Sequence, residues 1–380
     1  MRLAFLIYSY FPFGGQQRDF MRILRSALAR GHEVDVYALR WQGAVPDGVK
    51  LKLVPQRGVW RLTRYRSFTS HVEKALRQAP VDVVVGFNKM PLLDIYFGAD
   101  PCFLEKARTQ RGAYYPFTPR YRHFKAYEEA VFRRDSETQV LLLSDLQRKS
   151  YLRHYPDCAP RLHELPPGIS ADRRVEQRDP VTRREFREEF AIADGEWLVL
   201  QVGSGFRVKG VDRSLRAIAA LPVTLRRRVR YLLVGQDRAT RFRWLARRLG
   251  LRNQVRIIAG REDIPRFFAG ADLLLHPAYE ESAGYVLLEA AIAGLPVLTT
   301  ASCGYATHIQ RAEAGEVCPE PFQQQELNDR LASMLKRLDT APWSENGLAY
   351  GRNPGLYTMP EVAVDRIEAL TRARVSGGVT

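Results

Sequence analysis

Glu281 and Glu289 stand eight positions apart in the segment Glu281-Ser-Ala-Gly-Tyr-Val-Leu-Leu-Glu289, which follows the apolar run LLLHPA and is expected to open a helix running to Gly294. Small residues at a helix start leave the backbone N–H groups of Ala283, Gly284 and Tyr285 open to a phosphate, and the helix dipole favours its negative charge. Were the whole segment helical, the two carboxylates would lie about 12 Å apart along the axis and could bracket an elongated ligand. The bland alternative makes Glu281 a helix cap and Glu289 a solvated residue. Glu289, however, sits inside the apolar run Tyr285 to Ile292, and a carboxylate there needs a partner.

A second segment, Gly203-Ser-Gly-Phe-Arg-Val-Lys209-Gly210, follows the apolar WLVLQV. It is not a dinucleotide fingerprint, because Val208 takes the third glycine's place. Nor is it a P-loop, because Lys209 precedes its glycine and Val211 follows. A glycine loop with one lysine can still cradle a pyrophosphate, although an ordinary flexible loop reads equally well. A third, Gly14-Gly15 with Arg18 and Asp19 after it, lies at the carboxyl end of the first expected strand, the edge where open α/β sheets bind ligands. A tight strand-to-helix turn is the competing reading. Asp100 also follows a strand and could face a ligand, or could be a turn residue before Pro101. HExxH, GxSxG, D-x-D and spaced His/Cys ligand sets are absent from the sequence, so no bound metal and no cofactor are expected.

These segments must be held by a framework, and its rhythm is visible. Apolar runs at residues 2–8, 33–37, 81–87 and 140–144 alternate with helical periodicity in the first half; runs at 197–202, 231–234, 255–258, 273–276 and 296–299 repeat it in the second. Apolar rather than alternating strands suit parallel sheets covered on both faces. The fold class is therefore α/β, with two Rossmann-like doubly wound domains. Leu165-Pro166-Pro167-Gly168-Ile169 breaks regular structure, which places the hinge near residue 168. Length and composition agree: 380 residues suit two domains, and 46% hydrophobic residues can bury a core in each.

Four cysteines without CxxC spacing point to a reducing compartment. The apolar start breaks at Ser9 and no cleavage site follows, so it reads as a buried strand and not a signal peptide. No stretch reaches the roughly 18 apolar residues of a membrane span. The net charge of +16 invites a polyanionic partner without choosing one.

With these residues assembled, the chain resembles the retaining GT-B glycosyltransferases of family 4. Glu281 to Glu289 looks like their E-x7-E element, and the Gly-Gly loop and Lys209-Gly210 match their loops in order. FPFGGQQRDFMRI, VVGFNKMPLLDIYFGAD, YRHF, LPPGI, QVGSGF, KGVDRSL, ADLLLHPAYEESAG and GLPVLTTASCGYA resemble, more narrowly, the glucosyltransferases of the first heptose of the lipopolysaccharide core. The resemblance implies transfer of glucose from UDP-glucose with retained configuration, in a GT-B architecture whose two domains face a central cleft. The acceptor domain would span residues 1–168 and the nucleotide-sugar domain 169–355, with a helix in 356–380 returning to the first. It implies catalytic roles for Asp100, Asp19 and Glu281, with Asp100 assisting the acceptor hydroxyl. It brings Gly15 and Asp19 to the reacting sugars, Lys209 and Arg173 to the pyrophosphate, Arg261 to the uracil, Glu281 to glucose hydroxyls and Glu289 to the ribose. The family often places an arginine next to the loop lysine; here Val208 intervenes, and Arg207 is the substitute.

Residues 106–125 carry Lys106, Arg108, Arg111, Arg120, Arg122 and Lys125, no acid, and Tyr114, Tyr115, Phe117, Tyr121 and Phe124 among them. Cations interleaved with aromatics suit an anionic membrane surface, against the alternative of a solvated loop with its rings turned inward. The expected setting is the cytoplasmic face of an inner membrane, with UDP-glucose and a lipid A inner-core acceptor as partners. Rival functions are transfer from another UDP-sugar or to another glycan, and nucleic-acid binding, for which no recognition motif is present.

Overall fold

The computed structural model describes residues 1–12 and 14–377, so Phe13 of the Gly-Gly loop and the last three residues of the expected C-terminal segment lie outside it. The chain divides into two compact units, Met1–Gly168 with Thr358–Thr380, and Ile169–Tyr357.

The first unit is built on seven strands: β1 (Arg2–Tyr10), β2 (Glu33–Trp41), β3 (Val49–Leu53), β4 (Val83–Gly86), β5 (Ile95–Gly98), β6 (Gln139–Leu142) and β7 (Leu162–Glu164). All pair in parallel, in the order β3-β2-β1-β4-β5-β6-β7. Every residue of β4 and β5 is buried, and Leu3 to Ile7 of β1 are at most 1% exposed, as strands covered on both faces require. The helix Met359–Gly377 belongs to this unit, where Arg30 holds Asp365 at 2.6 Å and His32 holds Glu368 at 2.9 Å.

The second unit has six parallel strands: β8 (Trp197–Val202), β9 (Val229–Val234), β10 (Val255–Ile258), β11 (Leu273–His276), β12 (Val297–Thr300) and β13 (Gly315–Cys318), in the order β10-β9-β8-β11-β12-β13. Four strands escape the apolar-run reading. β3 alternates Val-Lys-Leu-Lys-Leu because it is a half-exposed edge, and β5, β7 and β13 have at most four residues each.

In a doubly wound sheet the crevice for a ligand opens at the carboxyl ends of the strands, where the order reverses. The two reversals fall between β1 and β4 and between β8 and β11. The Gly14-Gly15 segment leaves β1, while the 203–210 loop and residues 277–284 leave β8 and β11. All four cysteines are buried and free.

Candidate functional site

The 203–210 loop is shaped by its glycines. Gly210 has φ 69°, and a Cβ there would meet the Pro277 carbonyl oxygen at 1.9 Å, so only glycine lets this loop touch the one after β11. Tyr279 N–H donates to the Val208 carbonyl at 2.8 Å, and Gln201 holds the Lys209 carbonyl at 2.7 Å. Buried Arg213 donates to the Pro277 and Ala278 carbonyls at 3.3 and 3.1 Å, with its guanidinium 3.6 Å from the ring centres of both Tyr279 and Phe322. The Lys209 ammonium is thereby delivered onto Oε2 of Glu281.

Glu281 does not sit on a helix. Its N–H donates to Ser302 at 3.0 Å, its carbonyl accepts from Gly304 N–H at 3.0 Å, and it forms a parallel bridge with Cys303. The helix begins at Tyr285, with Gly284 at φ 98° preceding it and no side-chain cap. The expectation of one continuous helix, with the 12 Å spacing it entailed, is corrected here, because the Ser282-Ala283-Gly284 turn intervenes. The cap alternative for Glu281 fails on the same ground. Glu289 lies inside this helix at 9% exposure, which excludes the solvated alternative.

The electrostatics of Glu281 follow from its neighbours. Burial alone would raise its carboxyl, but the hydrogen bond from His276 and the charge of Lys209 outweigh that and hold it at about 2. His276 Nε2 lies 2.8 Å from the same Oε2 that Lys209 engages. A carboxylate held ionised this way is a hydrogen-bond acceptor for hydroxyls and a poor proton donor. His276 and Cys303 were not legible as site residues. With Glu281 they bring three potential metal-ligand atoms within 4.8 Å of one another, a grouping that sequence spacing hides. Lys209 already places a cation on the shared carboxylate.

The remaining expected donor-side residues are dispersed in this unit. Arg207 is exposed on the loop. Arg173 is half-buried with Asp172 at 3.6 Å. Arg261 pairs with Asp263 at 2.8 Å and lies 5.8 Å from the Phe267 ring centre.

In the first unit, Gly15 opens the helix Gly15–Ala29, and a Cβ on it would meet nothing within 4 Å, so open space and not crowding surrounds this glycine. Asp19, one turn on, is 2% exposed. Asn88, after β4, accepts from Tyr8 N–H at 2.9 Å and closes the reversal between these strands. Asp100 follows β5; its carbonyl accepts from Tyr151 at 3.0 Å, and the residue is exposed.

Residues 106–125 fold into the end of the helix Phe103–Gln110, a short turn Tyr115–Phe117 and the start of the helix Pro119–Phe132. Three of the five rings, Tyr115, Tyr121 and Phe124, pack around Phe103. Tyr114 and Phe117 point outward at 87% and 75% exposure beside exposed Arg111, Arg120 and Arg122. Lys125 pairs with Glu129 at 3.5 Å. No helix among the described residues is long and apolar enough to cross a membrane.

This geometry can be set against known proteins. Residues 13–173 match the family model "Glycosyltransferase Family 4", and residues 182–347 match "Glycosyl transferases group 1". The lipopolysaccharide glucosyltransferase WaaG of Escherichia coli K12 is 46% identical over 97% of this chain and 98% of its own length. The chain belongs to the family 4 glycosyltransferases. It is a hexosyltransferase of GT-B fold, and a WaaG crystal structure superposes with a TM-score of 0.89 over 96% of this chain and 99% of that one. A structure of Anabaena HepE with UDP-glucose, 18% identical, shares the fold with a TM-score of 0.75, covering 97% of this chain and all of that one.

Proposed function

We propose that this family 4 enzyme is a retaining, metal-independent glucosyltransferase that moves glucose from UDP-glucose to the first heptose of the lipopolysaccharide inner core. The observation that carries the reading is the 46% identity, along nearly the whole of both chains, with a lipopolysaccharide glucosyltransferase.

Charge develops on UDP as the glycosidic bond breaks, so preplaced cations and helix-end amides lower the barrier electrostatically. Lys209 and Arg173, with Arg207 in reserve, take the pyrophosphate; the amides of Ala283, Gly284 and Tyr285 add the helix terminus; Arg261 lies by the uracil and Glu289 holds the ribose. Glu281 accepts glucose hydroxyls. On the acceptor side, Asp100 assists the attacking hydroxyl, while Gly15 and Asp19 border the sugars. Retention follows from same-face attack by the acceptor hydroxyl on the anomeric carbon. Lys209 on Glu281 supports a metal-free site, because the charge a cation would bring is already there. The exposed Tyr114 and Phe117 among arginines support peripheral docking on the anionic cytoplasmic face of the inner membrane.

The test is a screen of UDP-hexoses with and without EDTA, alongside Glu289→Ala. UDP-glucose turnover indifferent to chelation and sharply reduced in the variant is expected. Preference for another UDP-hexose would overturn the donor, and activity lost in EDTA but restored by a divalent ion would overturn the metal-free chemistry.

A further inference from the structure

His276 ends β11 with none of its side chain exposed. Its carbonyl accepts from Thr299 Oγ1 at 2.9 Å, which fixes the backbone beneath the ring. Nε2 lies 2.8 Å from Glu281 Oε2, and Nδ1 is buried without a hydrogen-bond partner. Only a proton on Nε2 makes the first contact a hydrogen bond, so the tautomer is set by the carboxylate.

The division of labour on Glu281 is informative. Both protein donors, His276 Nε2 and the Lys209 ammonium, converge on Oε2. That oxygen is held from two sides. Yet Lys209 has a second task under the proposed reading, since the pyrophosphate also calls on it. A lysine held only by Glu281 would release the carboxylate on turning to the phosphates; a carboxylate held only by Lys209 would follow it.

We infer that His276 is a positioning residue: it keeps Oε2 of Glu281 anchored when Lys209 shifts to the donor pyrophosphate, so that the carboxylate stays aimed at the transferred sugar. This rests on the reading that Glu281 contacts that sugar. His276 itself touches neither donor nor acceptor, and its effect passes through Glu281. Cys303 and Thr299 complete the surroundings, with Thr299 Oγ1 3.4 Å from Cys303 Sγ, and neither supplies a donor to Oε2.

The experiment compares His276→Leu, His276→Gln and Glu281→Gln, measuring kcat and KM for UDP-glucose, UDP affinity by calorimetry and melting temperature. Glutamine places an amide N–H near the position of Nε2, whereas leucine removes the donor. A hydrogen bond to a charged group is worth about ten- to a hundredfold. His276→Leu is expected to lose that much in kcat/KM while binding UDP within about threefold of the parent, and His276→Gln is expected to recover most of it. A merely structural histidine would lower UDP affinity and melting temperature together and would not distinguish Gln from Leu. His276→Leu with parental kcat/KM, or Gln and Leu equally impaired, overturns the inference. Full activity in Glu281→Gln would instead overturn the site assignment on which it rests.

Discussion

Glu128 is a heavily engaged carboxylate of the first unit. It is fully buried on the helix Pro119–Phe132 and accepts from Lys89 Nζ at 2.5 Å, from the N–H groups of Phe103 and Leu104 at 2.6 and 3.1 Å, and from Tyr155 Oη at 3.3 Å. It therefore satisfies the orphan amides at the start of the helix Phe103–Gln110 and locks the two helices that carry the basic, aromatic segment. Lys89 is only 10% exposed and also donates to Pro101 at 2.8 Å, next to Asp100. Glu128→Ala leaves that ammonium buried without its counter-charge, which costs about 3–5 kcal/mol. At about 2–4 °C per kcal/mol for a unit of this size, the first unit's melting transition should fall by roughly 6–20 °C. Calorimetry with and without UDP is the assay. The transition that UDP leaves in place should move, and the one stabilised by UDP should not. The reasoning also requires Lys89→Met/Glu128→Leu to be less damaging than Glu128→Ala, because no unpaired charge remains. A Glu128→Ala protein melting within about 2 °C of the parent would refute the argument.

Three further outcomes follow from named contacts. Gly210→Ala should cost at least about 1–3 kcal/mol and abolish transfer, since the new Cβ meets the Pro277 carbonyl and the left-handed backbone disfavours it; unchanged turnover would show that the loop contact is dispensable. Reversing Arg120, Arg122 and Lys125 to Glu should weaken binding to anionic vesicles by at least about 3 kcal/mol, a hundredfold or more, because three attractions are lost and three repulsions added, and should leave UDP affinity intact; equal co-sedimentation of parent and variant would move attention to the arginines at 57–66, beside exposed Val59 and Trp60. Burial, aided by Arg66, lowers His123 from 6.5 to about 4, and both its ring nitrogens lack partners. Below pH 6.5 the unfolded chain binds a proton that folded His123 refuses until about pH 4, so stability should fall across that window. His123→Phe should remove about 2 kcal/mol of the loss by pH 5, and identical pH-melting profiles would contradict this.

Much of the fold was legible because parallel strands covered on both faces read as uninterrupted apolar runs, as β1, β4 and β8 do. Edge and very short strands were not, since β3 alternates and β13 offers only Gly-Glu-Val-Cys. The glutamate pair and Lys209 were legible as candidates through small residues and charge in apolar surroundings. Their geometry was not, because a turn ending in a positive-φ glycine looks in sequence like the first turn of a helix. His276, Arg213 and Cys303 escaped for a different reason. Arg213 and Cys303 meet groups far along the chain, brought near at the β8, β11 and β12 edges, while His276 stands five positions from Glu281 in a spacing that no motif marks. Among the aromatics of residues 106–125, the sequence could not tell Tyr114 and Phe117, which face outward, from Tyr115, Tyr121 and Phe124, which pack on Phe103.

The central claim is the reaction itself, and it is tested most directly by incubating the purified chain in EDTA with UDP-glucose labelled in the sugar and lipopolysaccharide truncated after its inner-core heptoses, then characterising the product by NMR. The account predicts one labelled glucose per acceptor, attached to the first heptose with the donor's α configuration retained. Label appearing with inverted configuration, on another sugar, or only when a divalent metal is supplied would contradict it.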